Sequence, residues 1–538
     1  MKRARVLILG VVLVVTLFSY SAAQTYEGSI SPLSCFDSYF IIDGNGDLYG
    51  WGSNQWGTNF SADTFGPEAF IASDMVSVAS GQWAAFAVDS KGELWGWGSS
   101  LFDLLPEDFA GVPVRFLDSV KAVACGSKHG LALKTDGTLW GWGNNDTFQM
   151  AGKTRESSVS ASAPIQILSN VVSITANGDA TYALTKDGTL LGWGGDVVVE
   201  NESDTIAFPT VILNSVKAAS ATPKGLLVIK SDDTLWAKGD TALFADEGCT
   251  YNSFTMLLDS VAFCSPGIAI QKDGSLWTWG DNHSGQLADN TPNHRCTPLK
   301  VADGVLYAET GLNATMAITD TGELIMAGSA YFPGEETSAS GFLTISKNVM
   351  LPSTAASIQC IPYTDVSEFD WFYRYAKKCL EMGLLKGVGN NQFAPALKIT
   401  EEQAVTIAVR LSAQLTGRVL PASNGGSWYE SFREYAIDNR ILLPDELGNE
   451  SSPISRYRFI ELLSRVLQQK DFPAIRTSSI PDVDSSTALG AFISGLYQAG
   501  VLNGIDSSGA FYGEKEITRA EVAAVLSRIA DPDLRIHI

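Results

Sequence analysis

The chain is poor in the residues that most catalytic and metal chemistry uses. Its 538 residues include four histidines, His129, His283, His294 and His537, and seven cysteines. No HExxH, GxSxG or phosphate-binding glycine loop occurs, so the local signatures of zinc hydrolases, serine hydrolases and P-loop enzymes are missing. Cys35, Cys125, Cys249, Cys264, Cys296, Cys360 and Cys379 form no CxxC pair. Their odd number and wide spacing exclude a dense disulfide scaffold, although Cys249–Cys296 and Cys360–Cys379 pairings stay open. His294-Arg295-Cys296 is too sparse for a zinc site. No metal, cofactor or catalytic residue is therefore expected. Positive charge is short as well: 37 Lys and Arg face 59 Asp and Glu, a net charge of -22. Such a surface repels phosphates, and nucleic acid is not an expected partner. Beyond the first residues no run is apolar enough to span a bilayer, which takes roughly 20 residues.

The one strongly apolar stretch lies at the start. Lys2, Arg3 and Arg5 precede an apolar run from Val6 to about Phe18, and Ser21-Ala22-Ala23 offers small residues for cleavage. Residues 1–23 read as a signal peptide. Its removal takes away three positive charges and no negative ones, moving the net charge from -22 to -25. The expectation is a secreted protein with no integral membrane segment after cleavage.

What the chain has in plenty is glycine (50) and tryptophan (13), and they recur together. An apolar strand, a turn with Asp-Gly, and a strand ending in Trp-Gly repeat between residues 33 and 350. The unit closes on Gly52, Gly98, Gly143, Gly194, Gly239, Gly280 and Gly328, at steps of 46, 45, 51, 45, 41 and 48 residues. A period of 40–50 with several strands per unit indicates propeller blades. In Leu139-Trp140-Gly141-Trp142-Gly143, alternation puts Trp140 and Trp142 on one face, toward a neighbouring blade, and Leu139, Gly141 and Gly143 on the other. Asp136-Gly137 forms the hairpin turn. Asp43-Gly44-Asn45-Gly46-Asp47 aligns with that turn and reads as a hairpin rather than a calcium loop. The predicted body is an all-β seven-bladed propeller over residues 24–352. Phe342-Leu343-Thr344-Ile345 looks like a strand opener that the first repeat lacks, so residues 342–350 are expected to complete the first blade. Cys125 and Cys264 occupy matching places and read as small core residues.

The best-kept copy, Val120 to Gly143 with Gly126, His129, Leu133, Asp136, Gly137 and Trp142, resembles the regulator-of-chromosome-condensation repeat family, as does Gly285-Gln286-Leu287. Other copies depart from it: Lys238 and Ala327 stand where Trp is expected. The resemblance implies the fold and says little about the ligand. Function on a propeller is expected in loops. Phe102, Phe109, Tyr251 and Phe254, in the insertions after Trp-Gly, are candidates for a loop-face contact, the alternative being that they cover blade rims.

After a linker at 353–362 the period changes to a helical one. Trp371, Tyr375 and Cys379, with Phe372, Ala376 and Leu380, make one broad apolar stripe. Thr400 with Gln403, and Thr518 with Glu521, are capping boxes. The layout occurs at 363–417, 427–469 and 480–531. The Asp-Val opener, the Gly-Leu-Leu-Lys-Gly (383–387) and Gly-Val-Leu-Asn-Gly (500–504) turns, and Ile-Thr-Arg-Ala-Glu (517–521) resemble the S-layer homology module. The resemblance implies an all-α three-module bundle of pseudo-threefold form that binds secondary cell-wall polysaccharide. On it, Arg519, Arg456, Asp365, Trp371, Trp428, Asp482 and Gly504 are candidate groove residues. Arg519 is not needed for capping, and a guanidinium at a helix N-terminus favours an anionic ligand. Glu401 takes that place in the first module and would repel an anion, so two competent grooves at most are expected. Module two lacks the Asp-Val opener, and module three has no Trp at the place of Trp371.

Together these readings give a non-enzymatic cell-surface protein, held non-covalently to the wall and displaying a propeller to a protein or ligand. A secreted enzyme inhibitor, and an envelope enzyme acting on a polysaccharide through carboxylates brought together in three dimensions, are the alternatives.

Overall fold

The computed structural model describes residues 33–35, 38–43, 45–53, 65–105, 109–151, 160–198, 203–241, 250–311, 313–332, 335–347, 361–367, 370–420, 429–444, 446, 451–467, 472–477, 479–505 and 509–536. Residues 1–23, expected to be a signal peptide, and Trp428, Cys249, Cys360 and most of the expected linker lie outside them. Seven four-stranded antiparallel sheets form the N-terminal part. Blade 3 is representative: Val120–Cys125, His129–Lys134, Leu139–Gly143 and Ala161–Leu168, inner strand to outer.

The sequence pattern explains the ring. Each seam between blades holds its own apolar cluster, and where the second Trp of the repeat is kept it fills one. Trp97 sits in the seam of blades 1 and 2, Trp142 in that of 2 and 3, Trp193 in that of 3 and 4, and Trp279 in that of 5 and 6. Trp95, Trp140 and Trp277 line the same seams half-buried, as alternation requires. Gly130 faces Trp142 across the ladder, and a Cβ there would lie 2.3 Å from the indole, so only glycine fits. Gly126 has the same relation to His129, at 2.2 Å. His129 is buried, its Nε2 2.8 Å from Thr181 Oγ1. Burial pushes it down to about 4, so it is a neutral structural residue.

The hairpin turns tie the blades together. The Gly46 carbonyl accepts the Met75 N–H at 2.9 Å, and Gly92, Gly137 and Gly188 repeat the contact to Val120, Val171 and Val216. The Asp-Gly turns and the links between blades therefore share one face. The opposite face carries the first hairpin of each blade and the loops after Trp-Gly, joined by bonds such as Asn144 N–H to the Lys128 carbonyl (2.9 Å).

Closure corrects one expectation. Glu335–Lys347 pairs with Glu323–Phe332 in blade 7, and blade 1 is completed by its own Phe65–Ala72. No strand is exchanged. Phe342-Leu343-Thr344-Ile345 lies in the outer strand of blade 7, as Ile167-Leu168 does in that of blade 3, and Val171-Val172 begins the inner strand of blade 4. The strand before each link thus belongs to the blade that precedes the link. Blades 7 and 1 close by side-chain packing of Tyr39, Ile41 and Trp51 on Met316, Ile318 and Met326.

The C-terminal part has six α-helices among the described residues: α1 Tyr373–Glu381, α2 Glu401–Thr416, α3 Glu430–Asp438, α4 Arg456–Val466, α5 Ala488–Gln498 and α6 Arg519–Ala530. Thr400 and Thr518 close the expected capping boxes, and Ser455 caps α4. Just before these three caps the backbone forms a closed ring. Ile399 N–H donates to Ile517, Ile517 to Ile454 and Ile454 to Ile399, at 3.1, 3.1 and 2.9 Å. Each helix pair contributes one side of it, which is a pseudo-threefold arrangement.

Helix α1 meets the turn face of the propeller at blade 1. Asp74 is fully buried, and its carboxylate accepts from Tyr373 Oη and Lys377 Nζ. Arg374 donates to Tyr49 Oη (2.8 Å) and stacks on Phe70 (4.8 Å). Asp47 lies 3.8 Å from that guanidinium. Helix α1 thus lies on the turn face at blade 1, and the loop face is opposite it.

Candidate functional site

The helical seams hold most of the candidate residues. Asp365 accepts from the Phe393 and Ala394 N–H groups, 2.7 Å each. Asp482 does the same for Phe511 and Tyr512, again at 2.7 Å. The Asp of the opener is thus a clamp on the turn that presents a phenylalanine. Onto each phenylalanine lies an arginine from the preceding module in the cycle. Arg519 stacks on Phe393 at 5.1 Å and Arg456 on Phe511 at 4.8 Å. Both arginines are buried, and burial pulls their guanidinium pKa down, though a guanidinium stays charged.

Their partners are largely internal. Arg519 Nε donates to the Phe393 carbonyl (2.7 Å) and Nη2 to the Lys386 carbonyl (2.5 Å). Arg456 Nη1 meets Glu521 at 2.7 Å. Arg519 therefore welds α6 to the first module. Removing two charge-assisted bonds leaves buried carbonyls unpaired, and Arg519→Ala is expected to cost about 2 kcal/mol. Chemical denaturation followed by helical circular dichroism checks this; an unchanged midpoint would show the bonds contribute nothing.

The third seam differs. Glu401, at the place of these arginines, meets Arg458 at 2.8 Å, and Arg458 also contacts Glu446 and Glu461. Arg465 binds Glu446 at 2.5 and 2.6 Å, which holds that carboxyl down at about 2. This network fills the seam with its own counter-ions. Two seams of the Arg–Phe–Asp kind remain.

Trp371 departs from its expected place in the buried stripe. Tyr375, Cys379, Phe372 and Ala376 are buried, but Trp371 is 53% exposed. It precedes α1 and touches Phe372 edge-on at 5.6 Å, and Phe372 stacks on Phe393 at 6.2 Å. An open indole thus leads to the Arg519 seam. Gly504 is a packing residue: a Cβ there would lie 2.3 Å from the Gly509 backbone.

The propeller candidates resolve differently. Phe102 lies in the short turn Leu101–Asp103, edge-on to Trp83 (5.5 Å) and under Lys128 (5.0 Å), so it covers a rim while reaching the loop face. Phe109 begins the outer strand of blade 2, Phe109–Leu117, and its side chain is outside the described residues. Tyr251 and Phe254 are not loop residues; both lie in the outer strand Thr250–Leu258. Tyr251 Oη bonds the Cys296 carbonyl at 2.7 Å, and Phe254 packs in the seam of blades 4 and 5 under Lys238.

Inner strands enclose a central cavity of about 290 Å³. Cys125 and Cys264 line it as free thiols, each pushed up to about 12 by burial. Among its described lining residues Glu309 is the single carboxylate, held by Tyr307 Oη (2.7 Å) and Ser265 Oγ (2.8 Å) and raised by burial. Cys379 is buried and free, which removes the Cys360–Cys379 pairing; Cys296 is disulfide-bonded. Among the described residues no helix is long and apolar enough to cross a membrane.

One cluster escaped the sequence reading. Asp281, His283 and His294, in the loop after Trp279-Gly280, bring one ligand atom each within 4.8 Å of one another. The two histidines are 11 positions apart, which gave no motif.

The model of the regulator of chromosome condensation (RCC1) repeat matches residues 120–149 and 273–318, and that of the S-layer homology domain matches 362–405 and 479–523. The surface-layer 125 kDa protein of Lysinibacillus sphaericus is 27% identical over 137 residues, 24% of this chain. The chain spans 12% of that relative's length. Among solved structures, human WBSCR16 shares 18% identity over 54% of this chain and 87% of its own, with a TM-score of 0.48. Prp20p from Saccharomyces cerevisiae shares 15% over 60% and 88%, also at 0.48. The chain thus carries RCC1 repeats in a seven-bladed β-propeller and S-layer homology domains in its C-terminal helical region.

Proposed function

We propose that this is a secreted cell-surface protein, held non-covalently to an acidic secondary cell-wall polysaccharide by its helical region and displaying the propeller's loop face to a protein or ligand. The observation that carries the anchoring reading is the exposed Trp371 beside the buried Arg519–Phe393–Asp365 seam. An indole face stacks on a sugar ring, and a guanidinium in the seam next to it favours an acidic substituent. The S-layer homology matches and the surface-layer relative support the same location. Docking of α1 on the turn face supports display, because the loop face then points away from the anchor.

Co-sedimentation of the full chain with purified cell walls tests this, before and after chemical removal of the secondary polysaccharide. Binding is expected to vanish on stripping. Trp371→Ala is expected to weaken it about tenfold, or 1.4 kcal/mol, with no change in melting since the ring is exposed. Equal binding to stripped walls, or no binding at all, would overturn the anchoring role.

A further inference from the structure

We propose that the loop of blade 6 is a binding site for a divalent transition-metal cation of the zinc class, held by Asp281, His283 and His294. Asp281 Oδ1 lies 2.5 Å from His283 Nδ1 and 2.9 Å from His294 Nδ1. The two imidazole rings meet at 4.3 Å between centroids. His294 Nδ1 also accepts the Asn282 N–H at 3.2 Å, which requires a lone pair on that nitrogen. A cation at this nitrogen takes that lone pair in place of the Asn282 N–H, and the three ligand atoms lie within 4.8 Å of one another. Two imidazole nitrogens and one carboxylate oxygen suit zinc, cobalt or nickel, and not calcium or magnesium, which take oxygen ligands.

The loop is built rigidly around this point. Asn282 is fully buried and donates to Asp289 Oδ1 (3.1 Å) and the Thr291 and Asn293 carbonyls (2.6 and 3.1 Å). It accepts from Leu287 N–H at 2.9 Å. Those bonds fix the stem of His294 against Asp281. Gln286 donates to Asp281 Oδ2 at 3.1 Å, which turns Oδ1 toward the histidines, the orienting role that outer-shell groups play at metal sites.

Blade 3 provides an internal comparison. Its loop has the same bonds: Gln149 to Asn144 (3.2 Å), Met150 N–H to Asn145 (2.8 Å) and Thr147 N–H to Gln149 (3.1 Å). Yet Asn144 stands at the place of Asp281 and Asp146 at that of His283. The loop therefore folds without Asp281 and His283, and the architecture of blade 6 does not account for those two. His283 is 70% exposed, and three protein ligands leave a coordination position open on the loop face.

The test uses the full, tag-free chain stripped with chelator. Equilibrium dialysis against zinc should give one bound equivalent, and cobalt should give the absorption bands of a nitrogen-ligated ion. His283→Ala, an exposed change that leaves the fold intact, is expected to weaken zinc at least about tenfold. His283→Ala with His294→Ala is expected to abolish it, with circular dichroism matching the parent. Calcium in excess should not compete. Failure of the parent chain to bind zinc above the level of the double variant would overturn the site, as would equal affinity in all three proteins; a bare His–Asp ion pair is then the whole of the cluster.

Discussion

Asp74→Ala is expected to lower the stability of the joined protein by about 4 kcal/mol, the usual cost of removing one partner of a buried pair. The reason is local. Asp74 is fully buried at the link between blades 1 and 2, and Lys377 and Tyr373 from α1 both end on its carboxylate. Without it, the Lys377 ammonium, only 17% exposed, has lost its counter-ion. Part of any loss has a second origin. Asp74 has φ +59°, a left-handed conformation that alanine tolerates poorly. Asp74→Gly removes that backbone cost and keeps the side-chain one, so the two variants separate the causes. Both should unfold in two resolved transitions, and small-angle scattering should show a larger radius of gyration. A compact glycine variant with the parent's stability would mean that α1 does not depend on this pair. The same contact sets which face of the propeller lies against the helical region.

How far the sequence reaches depends on whether a feature is local. Trp142, Gly130 and Gly137 declare a blade because strand alternation and a hairpin turn act over neighbouring residues. The capping boxes at Thr400 and Thr518 are equally local. Blade phase was less legible, because outer and inner strands are separated by a two-residue turn such as Ser169-Asn170 and read as one run. Trp371 was placed in the helical stripe by its spacing, but the helix begins two residues later and the indole falls outside it. The seams show the same limit from another side. Arg519 stands outside the Thr518–Glu521 capping box, and its acceptors, the carbonyls of Phe393 and Lys386, lie more than 120 residues away. Asp281, His283 and His294 were passed over because a loop stapled by Asn282, not a motif, brings them together. Asp47 read as a hairpin turn residue, which it is; its burial under α1 follows from docking of a distant segment.

That burial gives the second large effect, and its sign is unusual for an aspartate. Asp47 is buried, accepts Ser73 Oγ at 2.5 Å on one oxygen, and makes no hydrogen bond with the other. Burial, helped by the nearby Asp43 carboxyl, pushes it up to about 7, against the pull of Arg374 and Lys377. At about pH 4 and below, the proton is held in both folded and unfolded chains, and the contribution of Asp47 is complete. As pH rises from about 4 to about 7 the unfolded chain releases its proton while the folded chain keeps it, so this contribution declines. At 1.36 kcal/mol for each pH unit, the decline amounts to about 4 kcal/mol by pH 7. Asp47→Asn keeps an acceptor for Ser73 and has no proton to lose. The stability difference between variant and parent should therefore grow in the variant's favour across that range, measured by denaturant unfolding at half-unit pH intervals. Parallel curves for the two proteins would mean that Asp47 is already ionised in the fold, with Arg374 as its sufficient counter-ion.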